Sequence, residues 1–274
     1  MAGSLGLSCS ISAGGVTAVG VLNGSGGGMT YAVRKIISGS TASPLQGIVN
    51  YAVSTGAKSG VSISFKLPYS AGSLAGLVTA TGITVTLGFG SSGGISLSGS
   101  LLDSLQITGS EGGDIEVTAS FQSTALPGGG SASAVSTDYF KFNDVLSCVG
   151  PGISSSDVNA FTFHLTRTLA AYRGNSAYGI PKYLQVADTE CTLDLTYLKT
   201  GNGALSAAIA QPLVPATASV ALGGTPLISG GSSATYTLSC LSAFHNSTPT
   251  ENGALEAYVL EKSTLTSSNG TYVV

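Results

Sequence analysis

Apolar and polar side chains alternate along several short segments of the chain, most regularly in 83–87, 115–121, 161–165 and 191–197. A period of two places apolar side chains on one face and polar side chains on the other, which indicates half-buried antiparallel strands. Helical patterns are scarce, and only 204–211, which ends before Pro212, has the composition of a helix. Further strands are predicted at 62–67, 104–108, 182–186, 234–240 and 254–260. The pattern therefore predicts an all-β protein, an antiparallel β-sandwich or partial barrel with one short helix.

The alternating segments also form an apparent internal repeat. Three pairs of segments match in the same order: 83–87 with 161–165, 105–107 with 184–186, and the strand ending at Phe121 with the strand ending at Tyr197. This order predicts that one core hairpin unit is used twice, with chance similarity between alternating strands as the alternative. The predicted organisation is a Gly/Ser-rich arm with the first strands (1–60), a first β unit (61–135) and a second β unit with the C-terminal strands (136–274).

Charge is scarce in this chain of 274 residues, since only 8% of them are Asp, Glu, Lys or Arg, and 39 are glycine. The apolar share of 43% argues against a disordered protein, and the net charge of −3 argues against a basic nucleic-acid binder. No apolar run has the roughly 18 residues of a membrane helix, so no membrane partner is expected. Long strands without charged side chains pair with other strands unless their edges are occupied, which predicts a protein that binds copies of itself.

Residues for catalysis or metal binding are few. His164 falls on the polar side of a strand and His245 in a turn-like segment, and neither belongs to a known catalytic signature. The four cysteines form no CxxC pair, and Cys191 lies at an apolar position, where a buried thiol is expected. We therefore expect no catalytic residue, no cofactor and no metal.

Two pairs of carboxylates are the only residues whose pattern is typical of a catalytic site. Asp114 and Glu116 form one pair, and Asp188 and Glu190 form the other. A glycosidase needs two carboxyl groups roughly 5–10 Å apart, so a polysaccharide-degrading enzyme that uses Glu116 or Asp188 is one alternative. Such enzymes commonly bind sugars on aromatic side chains, and the chain has no Trp. The favoured interpretation is that these acids stand at strand starts or on polar strand faces.

Residues 160–198 contain a more specific order of segments. They run through a strand (161–165), a glycine-containing loop that ends at a proline (174–181), a short apolar strand (183–186), an acidic turn (188–190) and a long alternating strand (191–198). This order resembles the core hairpin region of the tail tube proteins (major tail proteins) of tailed bacteriophages. The family often has glycine at the turn position that Asp188 occupies here.

The resemblance implies a structural virion protein of the tail. Subunits of the family are β-sandwiches that join strands into a continuous barrel around a lumen, and their rings stack into a tube. The expected partners are copies of the chain itself, a tail sheath or tail terminator, and double-stranded DNA that passes without specific binding. Assembly would take place in the host cytoplasm. A doubled unit would allow three chains to fill the six positions of a ring.

The resemblance also implies roles for particular residues. A wall along which DNA slides needs hydroxyls and acids rather than Lys or Arg. The expected lumen-facing residues are Glu116, Thr118, Ser120, Thr192, Asp194 and Thr196. Loops at 88–104 and 166–182 are expected to contact the next ring, with Arg167, Tyr172, Arg173 and Tyr178 as the contact residues. A capsid decoration or fibre subunit and a bacterial surface adhesin remain structural alternatives, because β-sandwiches rich in Gly, Ser and Thr serve those functions too.

Overall fold

The alternating segments form strands in the computed structural model of the chain. The structure describes residues 9–13, 16–19, 23–30, 33–38, 48–53, 58–67, 69, 74–79, 81–89, 94–130, 139–175, 180–210, 216–224, 234–255 and 258–274, and before Ser59 it describes the backbone alone. The strands are β1 (Cys9–Ala13), β2 (Val16–Val19), β3 (Asn23–Thr30), β4 (Val33–Ser38), β5 (Ile48–Val53), β6 (Lys58–Lys66), β7 (Ile83–Phe89), β8 (Gly94–Ser110), β9 (Glu116–Ser123), β10 (Gly128–Gly130), β11 (Val145–Gly150), β12 (Ile153–Ser155), β13 (Val158–Tyr172), β14 (Tyr183–Leu198), β15 (Ala216–Gly224), β16 (Ala234–His245), β17 (Thr250–Leu255), β18 (Tyr258–Ser267) and β19 (Tyr272–Val273). The helices are α1 (Leu74–Thr79) and α2 (Gly203–Ala210).

The chain is an antiparallel β-sandwich, as the alternation predicts. Seventeen of the described strands belong to one hydrogen-bonded sheet, and β4 and β5 form a separate pair. The first layer has the strand order β3–β6–β9–β8–β13–β14–β18. Its central strands are long, and β8 continues past β9 and β13 to pair with β7 and β10. The pairings of the described strands do not close the sheet into a barrel.

The second layer contains β12, β11, β15, β16 and β19. The two layers are continuous where β18 pairs with the end of β16, Thr266 lying opposite Phe244. Close to this junction Ser242 has a φ of 50°, the one positive φ at a non-glycine residue of the described chain. This left-handed residue marks a bend in β16, which carries the rest of the strand over the first layer.

The core between the two layers is formed by the apolar side chains of the alternating segments. Burial alternates strictly along β9 and along the second half of β14. The largest fully buried side chains include Phe65, Phe140, Phe161 and Phe163. These side chains belong to one continuous cluster that extends across both predicted β units. The predicted boundary between the units, at 135/136, lies outside the described residues.

Two predictions about local structure are wrong. The described residues contain α1 in addition to the predicted helix, because Leu74, Leu77 and Val78 of the six-residue α1 are buried in the core. A helix this short gains its stability from tertiary packing and gives little signal of its own in the sequence. The predicted loop 88–104 is mostly strand, since it contains the end of β7 and much of β8, and the first seven residues of the predicted loop 166–182 continue β13 through Tyr172. In both regions, hydrogen bonds to a neighbouring strand continue the β-structure beyond the residues that alternate regularly.

The structure does not show the predicted internal duplication, because the matched segments do not form the same arrangement of strands. In the first unit, Leu105 and Val117 lie on two strands, β8 and β9, which are joined by the turn after Ser110. Their counterparts, Leu184 and Leu193, lie on the single strand β14. Because one unit turns where the other continues straight, the three matches reflect the common period of two and not a repeated arrangement of strands.

Neither helix that the structure describes has the length and apolar character needed to cross a membrane.

Tyr236 supplies a test of the core, because its ring is buried beside Phe140 with 6.3 Å between ring centroids. Its hydroxyl is buried and has no hydrogen-bond partner in the described part of the chain. Tyr236→Phe is therefore expected to raise the free energy of unfolding at pH 7 by about 1 kcal/mol, since it removes an unsatisfied buried polar group. Urea unfolding measures the difference.

The same substitution is expected to change the response to alkaline pH. Burial raises the pKa of the Tyr236 hydroxyl above its ordinary value of 10. The unfolded chain therefore ionises first, and the stability that is complete below pH 10 falls as the pH rises further. Tyr236→Phe should lose less stability above pH 10 than the wild type. The matched control is Tyr197→Phe, which removes a hydroxyl hydrogen-bonded to Ser263 at 3.1 Å and should lower stability at pH 7. A loss of stability in both variants at pH 7 would contradict the prediction.

Candidate functional site

The outer side of the first layer is one continuous polar surface, here called the polar face. It is formed by the outward side chains of six neighbouring strands, β6, β9, β8, β13, β14 and β18, whose other side chains form the core. Its members include Ser62, Ser64, Lys66, Glu116, Thr118, Ser120, Ser104, Gln106, Thr108, Thr162, His164, Thr166, Glu190, Thr192, Asp194, Thr196, Lys262, Thr264 and Thr266. All six residues predicted to face a lumen are among them.

The register of the strands aligns the predicted lumen residues of β9 with those of β14, in rows that run across the sheet. Thr118 lies opposite Gln106, which lies opposite His164, and His164 in turn lies opposite Thr192. Neighbouring strands are about 4.8 Å apart, so Thr118 and Thr192 are separated by about 14 Å across the sheet. By the same register Glu116 and Asp194 occupy the next row, through Thr108 and Thr162. The pairing of β8 with β13, which the sequence does not reveal, creates this arrangement.

Hydroxyl groups on the polar face bond to each other. Ser64 Oγ and Thr118 Oγ1 are 2.9 Å apart, and Ser120 Oγ donates to Ser62 Oγ at 3.0 Å. At Asp194, on the central strand β14, Oδ1 is buried without a hydrogen-bond partner in the described part of the chain. Four hydroxyl groups of this surface are thus paired within the sheet, between the neighbouring strands β6 and β9.

The charges of the polar face are few and mostly negative. Among the described side chains of this surface, Glu116, Glu190 and Asp194 face outward along with Lys66 and Lys262, and Lys66 forms an ion pair with Asp114 (Nζ–Oδ2 2.5 Å). The hydrogen bond to Asp114 raises the pKa of Lys66 above its ordinary value. The charge of Lys66 is therefore already neutralised by the protein.

The second candidate surface is the distal part of the β13–β14 hairpin, here called the hairpin tip (169–172 and 183–187). β13 pairs with β8 only from Ala160 to Thr166, and β14 pairs with β18 only from Thr192 to Leu198. Beyond these points the two strands pair with each other, and in the described part of the chain no third strand covers either edge. The side chains of both faces are exposed or half-buried. The hairpin tip is therefore a two-stranded ribbon with two open edges.

Aromatic and basic side chains occupy the end of the hairpin tip. Tyr172 and Tyr183 are 63% and 60% exposed, and their rings stack with centroids 6.1 Å apart. Lys182 Nζ lies 5.9 Å from the centroid of the Tyr183 ring. Arg173 is half-buried beside them. Of the predicted contact residues, Tyr172 and Arg173 thus lie at the end of an exposed projection, and Tyr178 lies outside the described residues.

Arg167 does not belong to an exposed loop, contrary to the prediction. It lies within β13 and is 9% exposed. Its Nη2 donates to the Val78 carbonyl at 2.7 Å and to the Tyr272 hydroxyl at 2.6 Å. The guanidinium group thus connects β13 to the end of α1 and to β19, which is a structural role inside the sandwich.

The two carboxylate pairs are far apart. Asp188 lies opposite Thr168 of β13, whereas Glu116 shares a row with Thr162. Six residues of β-strand separate these rows, which is about 20 Å. Asp114 and Glu116 themselves line an open cleft with Gly109 and Phe161, and Asp114 is held by Lys66.

The histidines occupy different environments. His164 is exposed on the polar face, and its Nε2 lies 3.5 Å from Thr166 Oγ1. His245 is buried, with Nε2 2.8 Å from the Pro151 carbonyl. Within the ranges that the structure describes, no three His, Cys, Asp or Glu side chains converge as a metal site requires.

No model of a known protein family matches the sequence, and no curated protein matches it either.

Proposed function

We propose that this chain is a structural virion protein whose copies assemble into stacked rings and form the tail tube through which phage DNA passes. The observation that carries the proposal is the polar face, a surface six strands wide that is rich in hydroxyls and poor in cations. The resemblance of 160–198 to tail tube proteins supplies the assembly and the virion as its setting.

The chemistry of the polar face suits a wall along which DNA moves. Proteins hold DNA mainly by neutralising phosphates with Lys and Arg, so a wall that must release DNA needs few of them. The described side chains of the polar face include two lysines and three carboxylates, and Asp114 neutralises Lys66. The hydroxyls of Ser62, Ser64 and Thr118 already have partners within the sheet. Phosphates that pass such a surface meet repulsion from carboxylates and little competition for their hydration.

The hairpin tip supplies a means of assembly. An exposed ribbon with open edges pairs with strands of another molecule through backbone hydrogen bonds. Charged side chains that would block such pairing are scarce, since the described strand residues from Leu169 to Tyr172 and from Tyr183 to Ala187 include no Asp, Glu, Lys or Arg. Pairing between copies would satisfy both edges and bury Tyr172 and Tyr183.

The charges at the two ends of the β13–β14 hairpin favour a head-to-tail arrangement. Arg173 and Lys182 flank the hairpin tip, whereas Glu111 and Asp157 lie at the opposite end, near Asn159. Asn159 and Tyr172 are 13 positions apart on β13, which is roughly 40 Å of strand. The basic end of one copy can therefore approach the acidic end of the next.

Size-exclusion chromatography with light scattering, followed by negative-stain electron microscopy, tests this function on the purified chain. We expect rings or tubes with an open centre and six subunits in each ring. Solid fibrils or shells would instead favour the fibre or decoration alternative. A monomer at high protein concentration would refute the proposal, and a rise in its Tm with polysaccharide would favour the enzyme.

A further inference from the structure

Two thiols meet inside the sandwich, between strands that are not hydrogen-bonded to each other. Cys191 on β14 and Cys240 on β16 are both fully buried. β14 and β16 approach each other to within 8 Å between Cα atoms, and the Cys240 thiol is close enough to raise the pKa of Cys191. Both are free thiols in the structure. Cys148, also buried, lies on β11, where Ser155 is its partner across the β11–β12 pair.

The bend in β16 explains how the two cysteines come together. β18 pairs with β14 at Thr192 and Thr266, and with β16 at Phe244 and the same Thr266. If β16 continued straight, two strand spacings of about 10 Å in total would separate it from β14. At Ser242 the chain instead turns through a positive φ, and Cys240 pairs with Tyr272 of β19. The strand thereby passes from the first layer to the second and places Cys240 over Cys191.

We propose that Cys191 and Cys240 form a disulfide that links the two layers of the sandwich when the chain folds in the presence of a disulfide oxidant such as oxidised glutathione. One cysteine thiolate attacks a sulfur of the oxidant, and one glutathione thiolate leaves. The second cysteine thiolate then attacks the protein sulfur of this mixed disulfide, and the second glutathione leaves. Two protein thiols lose two protons and two electrons, and one oxidised glutathione becomes two reduced molecules. The inference is independent of the proposed function.

Burial determines when this reaction takes place. Burial and the neighbouring thiol raise the pKa of Cys191 far above its ordinary value. The attacking species is the thiolate, so the folded, reduced protein reacts slowly at neutral pH, and a closed core also excludes the oxidant. The bond therefore forms while the layers are still open during folding. Once the sandwich has closed, the same burial protects the bond from reductants.

The bond should stabilise the protein measurably. Cys191 and Cys240 are 49 positions apart in the chain. Joining them restricts the unfolded ensemble, which for a loop of this length is expected to raise Tm by about 8 °C.

The test uses the full chain with Cys9→Ala and Cys148→Ala, in which Cys191 and Cys240 are the remaining cysteines. The protein is unfolded in urea with reductant, then refolded with a mixture of reduced and oxidised glutathione. We expect loss of both titratable thiols, a mass lower by two hydrogen atoms, a linked pair of peptides in a non-reducing digest, and the higher Tm. Folded, reduced protein incubated in the same mixture should keep both thiols much longer.

The control is the same background with Cys240→Ala, which can form no internal disulfide and should show no increase in Tm. The wild-type chain, refolded and mapped in the same way, covers the case in which the alanine variants fold poorly. Two separate glutathione adducts, two free thiols, or a bond between Cys148 and either cysteine in the wild type would overturn the proposal. A linked protein with an unchanged or lower Tm would also overturn it, because the bond would then distort the sandwich.

Discussion

Ala170→Lys combined with Ala171→Lys is expected to abolish assembly of the chain while it leaves the fold intact. Both alanines are exposed on the hairpin tip and lie opposite Gln185 and Leu184 of β14. Because successive residues point to opposite faces, the two lysines add charge to both sides of the ribbon. Charged side chains, lysine above all, are how natural proteins prevent pairing at open edges.

The expected effect on assembly is large. Pairing at the open edges would bury the new lysines beside strand residues (169–172 and 183–187) that include no Asp or Glu to neutralise them. A loss of only about 1.4 kcal/mol at each contact reduces the assembled fraction by about tenfold, and repeated contacts in a ring multiply this loss. Light scattering and counting of rings or tubes in micrographs measure the assembled fraction. Thermal unfolding of the variant should remain close to that of the unassembled wild type.

The matched control places the same two charges elsewhere. Ser206→Lys with Ala210→Lys adds them to exposed positions of α2, which is not a strand edge. This control should assemble as the wild type does. If the hairpin variant forms the same rings or tubes as the control, the hairpin tip is not an assembly surface, and the contacts that build the tube lie elsewhere.

Phe163→Ala is expected to lower the free energy of unfolding by about 4 kcal/mol, the usual cost of truncating a buried Phe. Phe163 is fully buried in β13, between Ile107 of β8 and Leu193 of β14. The cavity would open in the centre of the first layer, where three neighbouring strands leave little freedom to collapse. Urea unfolding with unchanged m values measures the loss.

The neighbouring residue provides the control. His164→Ala changes a side chain of the polar face one position farther along the strand, and its effect should stay within about 0.5 kcal/mol. Both substitutions are best measured in the unassembled hairpin variant, so that subunit contacts do not contribute to stability. Similar losses at Phe163 and His164 would contradict the register that separates the core from the polar face.

Local pattern was enough to predict parts of the strands β6, β8, β9, β13 and β14 and their outward side chains, because the strand period of two follows from backbone geometry. Glu116, Thr118 and Ser120 lie on the outer side of β9, and Thr192, Asp194 and Thr196 on the outer side of β14, as their alternation predicts. The buried thiol of Cys191 is likewise confirmed. Their use as a lumen wall remains part of the proposed function.

Tertiary contacts account for the features that the sequence analysis missed. The residues of α1 show apolar spacing, yet six residues form a helix only because the core accepts Leu74, Leu77 and Val78. Arg167 continues an alternating strand, whereas from the sequence it is predicted to lie in the loop 166–182 that is expected to contact the next ring. Its burial depends on acceptors from distant parts of the chain, Val78 and Tyr272, which no local pattern reveals.

The alternation of apolar and polar residues is sufficient to predict an all-β protein and the polar side of each alternating strand, and the composition gives the scarcity of charge. Two other features depend on tertiary contacts: β8 pairs with β13, which joins two polar strand faces into one surface, and β16 bends at Ser242, which brings Cys240 towards Cys191. These features differ in how far apart in the sequence the interacting residues lie. Alternation is a property of neighbouring residues, whereas strand partners and layer contacts join positions many tens of residues apart, through packing that depends on the whole chain.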